Sequence, residues 1–137
     1  MPLAGEQLTY GWSLALCSHV GWAGKDLRDA VALMCAESAR YTEAYHQNLD
    51  AKGKVDSTDW GLFQINDKWH PDFELPEGLN PIVNAEYAHG MWKASRGFSP
   101  WAAYDSGAYR VFLPAVTAAW LLPRWRLKVS HVEEKFA

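Results

Sequence analysis

Glu37 and Asp59 stand out among the sixteen acidic residues because of what surrounds them. Glu37 closes an apolar helical pattern. Asp59 follows a polar stretch and heads a β-prone run within Ser57-Thr58-Asp59-Trp60-Gly61-Leu62-Phe63-Gln64-Ile65-Asn66. Two carboxylates on different elements, facing one groove, suit the cleavage of a glycosidic bond. One must keep its proton to expel the leaving oxygen. The other must stay ionised opposite a developing positive charge.

The elements that must present these groups can be read from hydrophobic periodicity. Residues 5–20 predict a helix with Leu8, Trp12, Ala15, Leu16 and His19 on one face, His19 as a hydrogen-bonded core histidine. A second helix spans about Lys25 to Arg40, its stripe formed by Leu27, Val31, Met34, Cys35 and Ser38. Glu37 falls at the edge of that stripe, where lost hydration favours the neutral acid. Tyr41 to Thr58 reads as a loop with a hairpin turn at Ala51-Lys52-Gly53-Lys54. That loop half-imitates a calcium loop, but Lys52 and the closing Asp59 break the pattern. Asp59 to Asn66 reads as β, with Gly61 permitting a bend or a close approach. The stretch from Lys68 to Gly78 is irregular and holds Trp69, either a loop anchor or a sugar platform.

Asn80-Pro81 signals a helix start by N-cap and first-turn proline. The helix runs to about Arg96, is stopped by Gly97, and is apolar on both sides, which predicts a central, buried helix. A short helix at Trp101-Ala102-Ala103-Tyr104 follows, then one from Ala108 to Trp120 kinked at Pro114, then a short amphipathic end. The sum is mostly helical, α+β in class, with a small β or irregular element in the middle.

At 137 residues the chain reads as one domain, with its core at about 5–120 and a basic amphipathic tail at 121–137. The tail predicts a solvated terminal helix; contact with an anionic surface or a partner is the other reading. Hydrophobic residues make up 49% and charged residues 21%, which describes a globular chain and not a disordered one. The net charge of −3 carries no basic footprint of the kind nucleic acid demands. The apolar run Val111 to Leu122 holds Pro114 and is too short to span a bilayer, so no stable membrane insertion is expected. Cys17 and Cys35 fit no metal spacing; on neighbouring helices they could be bridged, and the plainer reading is two buried free thiols. The histidines also lack ligand spacing, and no phosphate loop is present, so neither metal nor cofactor is expected. Met1-Pro2-Leu3-Ala4-Gly5-Glu6 lacks the make-up of a signal peptide.

The motifs together resemble the lysozyme-like superfamily of peptidoglycan-cleaving enzymes. The segment from Ser57 to Asn66 is similar to the one holding the second catalytic aspartate of animal-type lysozymes. Glu37-Ser38, Gly61-Leu62-Phe63-Gln64-Ile65 and Ala103-Tyr104-Asp105-Ser106-Gly107 resemble the soluble lytic transglycosylase pattern, which usually has Asn where Asp105 stands. The overall look is that of the small phage-type lysozyme domains.

The resemblance implies a lysozyme-like fold with Glu37 as general acid and Asp59 as ionised stabiliser or nucleophile. It places Ser38, Gln64, Asn66, Trp69, Trp101 and Tyr104 along the substrate. Trp101 stands where lysozymes put the indole shielding the acid, and Tyr104 where transglycosylases put a tyrosine near it. It implies peptidoglycan strands as partner and no cofactor, and a monomer is the default for an enzyme that docks on an insoluble polymer. The expected activity is hydrolysis of the β-1,4 bond after N-acetylmuramic acid. Two readings stand beside it: transglycosylation to 1,6-anhydro ends by Glu37 alone, and a glycan-binding module without chemistry. The setting it implies is a protein made in the cytoplasm that reaches the wall through a phage pore or as part of a virion.

Overall fold

The structure, a computed structural model, describes residues 2–137. Seven α-helices and three strands follow one another as α1 (Tyr10–Val20), α2 (Gly24–Ser38), β1 (Tyr45–Leu49), β2 (Val55–Trp60), β3 (Ile65–Asn66), α3 (Pro81–Ser95), α4 (Ala102–Asp105), α5 (Leu113–Leu121), α6 (Arg124–Lys128) and α7 (Val132–Lys135). The class is mostly helical α+β, and the strands form one antiparallel sheet in the order β1-β2-β3.

The first helix starts at Tyr10 and not near residue 5. Thr9 caps it, its hydroxyl accepting from the Trp12 N–H at 3.1 Å. Residues 4–8 instead run extended against 40–43, with Leu8 N–H donating to the Arg40 carbonyl and Thr42 N–H to that of Glu6. Gly5, at φ 81°, turns the chain into that path. His19 is not a core histidine: it is partly exposed, with Nε2 3.5 Å from the Glu133 carboxylate.

The central helix is α2. Residues 30–35 are buried all the way round, and the predicted stripe of Leu27, Val31, Met34, Cys35 and Ser38 points inward. Cys17 and Cys35 are both free and buried. Beside them Trp22 packs with Phe63, Phe98, Trp92 and His89, at centroid separations of 5.0–6.1 Å.

The expected loop at Tyr41–Thr58 is a β-hairpin. Its turn falls at the predicted place, closed by Asp50 N–H to Lys54 O at 2.7 Å and Gly53 N–H to Asp50 O at 3.0 Å. The strand Tyr-His-Gln-Asn-Leu escapes periodicity because the hairpin lies at the surface and neither face of β1 is fully buried. The expected β run Asp59–Asn66 is broken by a turn at 61–64, with Gly61 at φ 76° and Gln64 at φ 51°.

Asn80 caps α3 as predicted, its side-chain oxygen accepting from Ile82 and Val83 N–H. The helix is not central. Asn84, Ala85 and Ala88 are buried, while Val83 is exposed and Met91 and Trp92 are half-buried. Pro114 starts α5 after a 3-10 stretch, Ala108–Phe112, where a kinked continuous helix was expected. The C-terminal segment is not merely solvated. Trp125, Val132 and Phe136 join the core, and Asn80 Nδ2 donates to Phe136 O at 2.7 Å.

Candidate active site

Glu37 is the penultimate residue of α2. The helix stops there because Ala39 and Arg40 both take left-handed backbone, φ 50° and 67°. Arg40 anchors that stop, donating from Nε to Leu8 O at 2.9 Å and stacking 4.0 Å from the Tyr10 ring centre. Ser38 turns inward and donates to Met34 O at 3.1 Å, so its hydroxyl is spent inside the helix and not in the cleft.

Asp59 comes from β2, next to its end. On a strand, alternate side chains share a face, so Ser57 and Asp59 project together. The register sets Asn48 opposite Ser57 and Asn66 opposite Asp59. Both asparagines then converge on the aspartate: Asn66 Nδ2 donates to Oδ1 at 2.8 Å and Asn48 Nδ2 to Oδ2 at 3.1 Å. The same two amides reach Ser57 Oγ at 3.1 and 3.0 Å. Two amide donors aimed at two acceptor oxygens fix the carboxylate's orientation.

Asn66 carries a second duty. Its side-chain oxygen accepts from the N–H groups of Lys68 and Trp69, at 3.0 and 3.1 Å, and so ties the Trp69 loop to the aspartate. Trp69 is 74% exposed, so nothing in the fold buries the ring. Gln64, on the turn, spends its amide N–H groups on Ala44 O and Gly61 O. Beneath that turn the buried Asn84 donates to Trp60 O and Gly78 O and accepts from Phe63 N–H.

These residues line one open cleft of about 540 Å³. Glu37, Asp59, Gln64, Asn66, Trp69 and Trp101 all border it. Trp101 is buried, with its indole N–H donating to Phe63 O at 2.9 Å. The opposite wall is Met91, Ala94 and Ser95 of α3, and His70 stands beside Trp69. Tyr104 is not among the lining residues. It stacks on Tyr109 at 4.7 Å and lies 5.3 Å from the Phe98 ring centre, near Lys25 at the start of α2, and its pKa is raised first by burial and then by Tyr109. Glu37 lies at the other end of that helix, about 18 Å along its axis from Lys25.

Glu37 is pushed up from 4.5 to about 7, first by burial and second by the negative charge of Asp59. The carbonyl end of α2 acts in the same direction. The site therefore holds a carboxylic acid able to keep its proton near neutrality, in the same cleft as the Asp59 side chain held by two amides.

Sequence reasoning missed Asn48 as a partner of Asp59, although the hairpin register alone puts it across from Ser57. It also missed the α3 wall, whose signal was the second apolar face of that helix. His70 carried no signal of its own.

Among the described residues no group of three or more His, Cys, Asp or Glu side chains is arranged to hold a metal ion. No curated protein matches the chain. The family model described as a lysozyme-like domain matches residues 14–103. That span takes in α2, the hairpin, α3 and Trp101, the parts that build the cleft, and by it the chain belongs to the family of lysozyme-like domains.

Proposed function

We propose that the protein is a muramidase, hydrolysing the β-1,4 bond between N-acetylmuramic acid and N-acetylglucosamine in peptidoglycan. The family supports a peptidoglycan-acting protein. The observation that carries the finer reading is the pairing of Glu37, pushed up to about 7, with Asp59 in one cleft.

In this reading the glycan strand lies along the cleft between the sheet and α3. Glu37 gives its proton to the glycosidic oxygen as the bond to the sugar carbon breaks. Asp59 faces the positive charge that develops on that carbon, as stabiliser or as nucleophile. Water then adds at the same carbon, and its proton returns to Glu37. Trp69 offers an exposed ring for stacking against a sugar face, and Trp101 helps keep water from the acid.

A second reading has its own support. Both oxygens of Asp59 are occupied by Asn48 and Asn66, as they would be if the aspartate only braced the hairpin. Glu37 would then serve as sole acid and base, and the muramic 6-hydroxyl would attack in place of water. Asp59→Asn tests the choice on purified peptidoglycan. A two-carboxylate hydrolase loses about a hundredfold or more of its rate; near wild-type release of fragments would leave Glu37 acting alone.

A further inference from the structure

Residues 106–132 contain no Asp or Glu, while Arg110, Arg124, Arg126 and Lys128 lie among them. The chain as a whole carries a net −3, so this stretch is a basic island on an acidic protein. Large apolar side chains are exposed in the same place: Leu121 is 67%, Leu122 62% and Leu127 75% accessible. Each of these leucines leaves apolar surface in water that burial against a partner would remove.

The cause is geometric. In α6 the buried Trp125 points inward, so Leu127, two residues on, points outward. Leu121 and Leu122 end α5 just before the turn at Pro123. Arg126 lies flat against Trp125, 4.6 Å from its ring centre, and 5.9 Å from that of Trp120. Arg124, Leu127, Lys128 and Lys135 also border a groove of about 720 Å³, with Trp12 and the single acid Glu134 in its lining and Lys128 Nζ 5.1 Å from the Trp12 ring centre. Leucine, tryptophan and an excess of cations over the neighbouring Glu133 and Glu134 match the chemistry of a bilayer interface: acyl carbons below and anionic headgroups above.

We propose that the α5–α6 corner is a docking surface for anionic lipid, with Leu121, Leu122 and Leu127 entering the headgroup–acyl boundary and Arg124, Arg126 and Lys128 meeting the headgroups. Contact is peripheral, since no helix among the described residues is long and apolar enough to cross a membrane. The cleft that holds Glu37 and Asp59 shares no lining residue with this groove. The proposal is independent of the reaction assigned to that cleft.

Co-sedimentation of the full chain with vesicles tests it. Phosphatidylglycerol-containing vesicles are expected to bind the protein, and vesicles of phosphatidylcholine alone to bind it much less. Each of Arg124→Gln and Lys128→Gln is expected to weaken binding about fivefold. The triple variant Leu121→Ser, Leu122→Ser, Leu127→Ser is expected to weaken it tenfold or more while keeping the wild-type circular dichroism and melting curve. Failure to sediment with anionic vesicles overturns the proposal. So does undiminished binding by the leucine variant, which would assign the corner to an anionic polymer read by charge alone. A wild-type dimer that the leucine variant loses, with no lipid binding by either, would give the surface to a second copy of the chain and equally overturn it.

Discussion

Replacing Glu37 by Gln keeps the side chain's shape and removes its proton, so the rate of peptidoglycan cleavage should fall by about a hundredfold to ten-thousandfold. The raised value also sets a pH limb: cleavage should decline as pH rises through about 7, where the acid ionises. Stability follows the same proton. The folded value, about 7, lies above the ordinary 4.5, so the native state binds this proton more tightly than the unfolded chain. Stability contributed by the group is full below about pH 4.5 and is lost as pH climbs through about 7. The loss is on the order of 3 kcal/mol. Glu37→Gln should therefore melt higher than the wild type at pH 8 and not at pH 4, which calorimetry at both pH values checks. Asp59 contributes the second part of the shift. An NMR titration of Glu37 in Asp59→Asn should give a value below that of the wild type but still above 4.5, because burial persists. Glu37 was legible in the sequence because the α2 stripe fixes which residues sit at its edge. Ser38 and Tyr104 were not: a motif match says nothing of where a hydroxyl points, and Ser38 points back into its own helix.

The hairpin and its following turn hold the aspartate through Asn66. Asn66→Ala unties Asp59, Ser57 and the Trp69 loop together, and a misplacement of this kind should cost about a hundredfold in kcat while the melting temperature changes little. Gly61 is needed twice over. Its φ is 76°, and an added Cβ would stand 2.4 Å from Asn84 Nδ2. Gly61→Ala should therefore lose about 2–3 kcal/mol in a urea titration. The helices could be read from periodicity, and Asn80-Pro81 placed the start of α3 to the residue. The hairpin could not, because β1 has polar residues on both faces and shows no alternation. The second apolar face of α3 misled for a physical reason: it is not core but the wall of a cleft.

The C-terminal stretch decides how far the folded unit extends. Composition shows a basic amphipathic tail, yet Trp125, Val132 and Phe136 are core residues, and Phe136 packs edge-on against Trp12 at 6.1 Å. Composition cannot show which face of such a tail finds a partner; only the packing of α1 supplies it. Deleting residues 122–137 should expose that face of α1 and cost about 5 kcal/mol or more, seen as a loss of the cooperative thermal transition. The charge pattern belongs to the same scale. Fourteen of the sixteen acids precede residue 106, while the stretch after it carries five basic groups against Glu133 and Glu134. The cleft that holds Glu37 and Asp59 and the groove beside Trp12 share no lining residue.

The most direct test of the central claim is the mass of the soluble fragments released from purified peptidoglycan, with Glu37→Gln run beside the wild type. Two-carboxylate hydrolysis predicts fragments with reducing muramic acid ends, each one water heavier than an anhydro product, and none from the variant. Anhydro ends, or equal release by the variant, would contradict it.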